Sequence, residues 1–79
     1  MTKSKKVKLT VLYSVNLFGQ EFDGPSDPTL YDVVFDRNYF VIRYYGCCSV
    51  KTEQTLEDAK NYIRERAAFV IQKYKKNEV

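Results

Sequence analysis

Apolar residues recur at every second position from Val7 to Leu17, and the row between them is mostly polar. Val7, Leu9, Val11, Tyr13, Val15 and Leu17 fall on one row, and Lys8, Thr10, Leu12, Ser14, Asn16 and Phe18 on the other. That period of two predicts a strand with one face inward and one towards solvent. A second pattern runs from Tyr31 to Tyr45. With Arg37-Asn38 as a two-residue turn, Asp36 faces Tyr39, Phe35 faces Phe40, Val34 faces Val41 and Val33 faces Ile42. Asp32 then faces Arg43 and Tyr31 faces Tyr44. Tyr31, Val33, Phe35, Phe40, Ile42 and Tyr44 share an uncharged face. The other face carries Asp32, Val34, Asp36, Tyr39, Val41, Arg43 and Tyr45, with a carboxylate directly opposite a guanidinium. A slip of one residue would destroy both patterns, so the register is specified by the sequence.

Between these segments, Gly19 to Thr29 breaks the alternation. Gly24-Pro25 and Asp27-Pro28 are turn dipeptides, and a loop is predicted, with Phe22 its bulky apolar residue. Gly46 to Val50 has two readings: it extends the third strand past a glycine bulge, or it begins the connection to the helix. Thr55 opens that helix. Thr55-Leu56-Glu57-Asp58 places a hydroxyl three residues before an amide it can cap, and puts two carboxylates at the positive end of the helix dipole. Lys73, Lys75 and Lys76 lie at the other end, and neither Gly nor Pro interrupts residues 56–77.

At about 100° per residue, Leu56, Ala59, Ile63, Ala67, Val70 and Tyr74 form one stripe, the predicted core face. Tyr62 and Phe69 lie together about 110° from its centre. The expected fold is α+β: a three-stranded antiparallel sheet (β-β-β-α) with one C-terminal helix packed on one face. Residues 1–6 read as a flexible basic tail and 7–79 as a single domain.

Composition narrows the chemistry. The chain has 79 residues, a net charge of +3, seven Tyr, five Phe, no Trp and no His. Large rings supply much apolar area to a chain too short for an extensive core. Without His, the commonest general base and metal ligand is missing. The carboxylate pairs have ordinary explanations in helix capping and cross-strand pairing, and the glycines form no phosphate-cradling cluster. No catalytic residue, cofactor or metal is expected, so the chain reads as a non-enzyme. Cys47 and Cys48 are adjacent, and in an extended chain they would point to opposite faces. One thiol is expected to be buried and the other partly exposed. The basic amino end is followed by no apolar core of a secretion signal, and no run spans a membrane, so a cytoplasmic location is expected.

What remains is binding. The sheet face away from the helix holds Val34, Tyr39, Val41, Arg43 and Tyr45, an aromatic and aliphatic patch around one ion pair. Tyr62 and Phe69 make a second candidate surface, and an unpaired sheet edge a third, open to a partner strand; a second copy could form a homodimer through that edge or through the open sheet face. The element order, with Thr55-Leu56-Glu57-Asp58-Ala59-Lys60 at the helix start, resembles the small amino-terminal domains of some mobile-element integrases. That resemblance covers the hairpin and helix, and implies DNA binding through the sheet. Yet the sheet face sets Arg43 and Lys8 against Asp32 and Asp36, a poor match to phosphates. The expected function is a small protein-binding module, similar in size and style to phage and mobile-element inhibitors of host factors, anti-CRISPR proteins among them. The alternative is a nucleic-acid-binding domain using the sheet and the basic termini.

Overall fold

A computed structural model describes residues 9–77, with side chains to Lys73. Residues 1–6, expected as a basic tail, lie outside the described residues. The hairpin forms in the register that the side-chain pattern requires. β3 (Thr29–Asp36) and β4 (Tyr39–Tyr44) are antiparallel partners, with Asp32 opposite Arg43, Val33 opposite Ile42 and Phe35 opposite Phe40. Arg37 takes the tight turn at φ 65°, in the left-handed region.

The sheet is larger than the expected three strands. β1 (Val11–Asn16) pairs with β3 on its inner side and with β2 (Glu21–Phe22) on its outer side. β5 (Cys48–Glu53) pairs with β4. Among the described residues the order is β2-β1-β3-β4-β5, five strands, and every pairing is antiparallel. β5 answers the question left open at Gly46: the chain neither extends the third strand nor leaves the sheet, but turns at Tyr45–Cys47 and returns as an edge strand. Lys51 and Glu53 of β5 form an ion pair at 3.6 Å, and a register shift interrupts its pairing with β4. Such an edge has no alternating apolar row for a sequence pattern to reveal.

β2 lies inside the segment expected to be a loop, and two polar clusters hold it. The buried Asn16 side chain accepts from the amides of Phe18 and Gln20, both at 2.9 Å, and donates to Gln20 Oε1 at 2.8 Å. This closes the β1–β2 turn. Glu21 Oε1 then accepts from the Tyr13 hydroxyl at 2.6 Å and from Arg64 Nε at 2.9 Å, tying strand and helix together. Beyond β2 the chain passes through a cis peptide bond at Asp27-Pro28 and enters β3.

The helical segment also differs from expectation. α1 (Leu56–Arg66) and α2 (Ala68–Asn77) are separated at Ala67, where φ is −96° and ψ 8°. Thr55 caps α1 by accepting from the Asp58 amide at 3.1 Å. Hydrogen bonds from Ala67 to Ile63 and from Ile71 to Ala67 carry the chain through the interruption. The changed dihedrals break the uniform phasing. Ile71, absent from the expected stripe, joins Ala59, Ile63 and Ala67 in the core, while Leu56 and Val70 are only partly buried. The Tyr74 side chain lies outside the described residues.

This stripe covers the middle of the uncharged sheet face. Tyr13, Val15, Leu30, Val33 and Ile42 complete the core. The helices do not reach the ends of the face. Phe35 is therefore 45% exposed rather than buried, leaning on Phe40 at 4.9 Å between ring centroids. Tyr31 and Tyr44 make the matching pair at the other end, at 5.2 Å. Leu17, expected on the inward row, is exposed because β1 ends at Asn16.

Ile42 and Ile63 are fully buried on opposite sides of the sheet–helix contact. Ile42→Ala or Ile63→Ala should each cost about 2–5 kcal/mol, read from urea unfolding. A pH dependence is expected from Tyr13, whose phenol is pushed above its ordinary range, first by burial and then by its hydrogen bond to Glu21. A folded pKa above the unfolded value stabilises fully below the unfolded pKa, near 10. That contribution is lost as pH rises towards the folded value. Unfolding measured from about pH 8 to about pH 11 should show stability falling in the parent, and falling less in Tyr13→Phe.

Candidate functional site

The reverse face of the sheet is built around one ion pair. Arg43 Nε donates to Asp32 Oδ1 and Arg43 Nη2 to Asp32 Oδ2, both at 2.9 Å, a two-pronged bond between cross-strand partners. Asp32 is 3% exposed. The hydrogen bond to Asp32 raises the Arg43 pKa further above its ordinary value, with burial opposing. A buried carboxylate costs free energy unless paired, and the planar fork of Arg satisfies both its oxygens. The turn after β4 closes on this pair. Tyr45 N donates to Leu30 O at 2.8 Å, Gly46 adopts φ 74°, and a Cβ at Gly46 would sit 3.7 Å from Asp32 Oδ2. Ordinary contact distance would admit that methyl; the left-handed backbone is what favours glycine here.

The reverse face divides into a covered half and an open half. On the β1–β3 side the loop after β2 folds back, and Ser14 Oγ donates to Gly24 O at 2.5 Å. Ser14, Asn16, Asp32 and Val34 are all buried. Val34, expected to line the binding patch, is fully buried and offers no surface. On the β4–β5 side the face is open. Tyr39 is 49% exposed, and Val41 and Arg43 beyond it are half-buried. Thr52 opposite Val41 and Ser49 opposite Arg43 extend this half with small polar side chains.

Each expected site residue thus has a definite place. Tyr39, Val41 and Arg43 share one face of β4. Tyr45, expected beside them, instead sits in the turn at φ 59°, where the left-handed backbone ends the alternation; it is 53% exposed, with its ring 4.4 Å from that of Tyr44, the partner of Tyr31 on the helix-side face. Tyr62 and Phe69 belong to the helices that pack on the other face, and the interruption at Ala67 parts them. Tyr62 packs against the core with Arg66 over its ring at 5.0 Å. Phe69 is 74% exposed, with Lys73 5.7 Å from its centroid. A shallow cavity of about 240 Å³ lies between β5 and α1, lined by Glu53, Asp58, Asn61, Tyr62 and Glu65. No sequence pattern marks it, because it needs β5 beside the helix start.

Both thiols are exposed, contrary to the expectation that one would be buried. Among the described residues, no group of three or more Cys, Asp or Glu is placed to hold a metal ion. Among the same residues, no helix is long and apolar enough to cross a membrane. In comparisons with known proteins, no family model matches the chain, and neither a curated protein nor a solved structure matches it.

The ion pair makes Arg43 a structural residue as well as a surface one. Arg43→Ala leaves Asp32 buried without its partner and should cost about 3–5 kcal/mol. Asp32→Ala combined with Arg43→Ala should cost less than the sum of the two single changes. A double-mutant cycle by urea unfolding measures that difference.

Proposed function

We propose that this chain is a small non-enzymatic protein-binding module that acts through the open half of the reverse sheet face. The observation that carries this reading is the pairing of exposure with rigidity. The exposed Tyr39 stands beside Val41 and the Asp32–Arg43 pair on a strand fixed by neighbours on both sides. Tyr and Arg in a preorganised setting are the residues that dominate interface energetics, because they bring large contact area with few torsions to freeze. Such a module works by occupying a partner's surface, in the way small phage and mobile-element proteins block a host factor.

Charge weighs against the nucleic-acid alternative. Arg43 is bound to Asp32, Lys51 to Glu53 and Arg64 to Glu21. Phosphate binding draws on cations that shed condensed counterions, and cations already neutralised within the fold contribute little of that. The five-stranded order also departs from the three strands that the integrase resemblance implied.

The test uses Tyr39, since Arg43 is needed for stability. The parent and Tyr39→Ala are compared as bait in a host lysate, and the captured protein is then titrated with both. A partner that binds the parent and loses about 2 kcal/mol or more with Tyr39→Ala, with unfolding unchanged, is the expected result. Duplex DNA is titrated in parallel at two salt concentrations. Tight, salt-sensitive DNA binding that falls when Lys5, Lys6 and Lys8 are replaced, and is indifferent to Tyr39→Ala, would refute the protein-binding reading.

A further inference from the structure

The turn between β4 and β5 sets two sulfur atoms side by side. Adjacent side chains on extended backbone point apart. Here Tyr45 and Gly46 take φ of 59° and 74°, and the chain reverses before Cys47. Cys47 N donates to Tyr44 O at 3.3 Å, which holds Cys47 in the turn while Cys48 enters β5 opposite Tyr44. The Sγ atoms lie 3.7 Å apart, and both residues are exposed. We propose that Cys47 and Cys48 form a vicinal dithiol that a low-molecular-weight disulfide oxidises as one unit to an intramolecular Cys47–Cys48 disulfide.

The chemistry balances in two exchanges. A thiolate of the pair attacks one sulfur of the oxidant. The oxidant's S–S bond breaks, one small thiolate leaves with the electron pair, and a mixed disulfide remains on the protein. The neighbouring cysteine gives up its proton and attacks the protein-side sulfur of that bond, releasing the second small thiolate. Two protein thiols lose two electrons and two protons, and the oxidant becomes two thiols. The second exchange needs only the sulfur already 3.7 Å away, whereas attack on a further oxidant molecule needs a fresh encounter. The Cys48 thiol is raised above its ordinary range, first by its hydrogen bond with Cys47 and then by the charge there.

The bond so formed is strained. Neighbouring Cα atoms stay about 3.8 Å apart across a trans peptide, closer than the roughly 4.4–6.8 Å of ordinary disulfides. Strained, exposed disulfides are the readily reduced ones, so the oxidation is reversible. This inference does not rest on the partner-binding reading, although the same turn carries Tyr45.

The experiment titrates the reduced full chain with oxidised glutathione, quenches with acid and reads the intact mass. The parent should lose two hydrogens and retain no glutathione, and reduced glutathione should restore the starting mass. Cys47→Ser and Cys48→Ser should each hold one glutathione instead. A parent that retains glutathione at the plateau, links to a second chain or keeps both thiols overturns the proposal. So does ring closure that is equally fast in the urea-unfolded chain, because the folded turn is what brings the sulfurs together.

Discussion

The pairing of Asp32 with Arg43 across β3 and β4 is the constraint on which both faces of the sheet depend. Strand geometry sends alternate side chains to opposite sides, so one register decides everything at once. The register that joins Asp32 to Arg43 also puts Val33 opposite Ile42, under Ile63 and Ala67. A slip of one residue would leave a buried carboxylate without its guanidinium and would turn apolar residues away from the helices. Buried ion pairs add little net stability over apolar substitutes, but their loss on one side is costly. That asymmetry makes the pair a sharp discriminator between the native register and its neighbours.

The same pair shapes the reverse face. Covering one half with the loop after β2 gives the Ser14 hydroxyl its partner inside the protein, while the β1–β2 turn supplies those of Asn16. The other half has no such cover. It presents Tyr39, Val41 and Arg43 along β4, braced by β3 on one side and β5 on the other. Rigidity and exposure coincide there. A surface that needs no reordering on contact loses less entropy when it binds.

The edges of the sheet are handled differently. β2 is two residues long and is held by Glu21 to Tyr13 and Arg64. β5 is longer, but its irregular pairing and its Lys51–Glu53 pair make it a poor template for a further strand.

The elements legible in the sequence are those whose signal is local. The Tyr31–Tyr45 hairpin has a periodic pattern on both strands, and the Thr55 cap needs only a hydroxyl three residues from an amide. β1 is readable for the same reason, apart from its ends. Tertiary structure decided the remainder. β5 lacks alternation because all of it but Glu53 is exposed, and it exists by pairing with β4. β2 depends on contacts with Tyr13 and with Arg64, far away in sequence. The break at Ala67 has neither Gly nor Pro to mark it, and its dihedrals are set in a chain already packed on the sheet. Alternation placed Tyr39 and Arg43 on one face, but it could not tell that Val34 beside them is covered, or that Cys47 and Cys48 meet. Burial and sulfur proximity belong to the whole fold, because both depend on which distant segment lies on top and on where the backbone reverses.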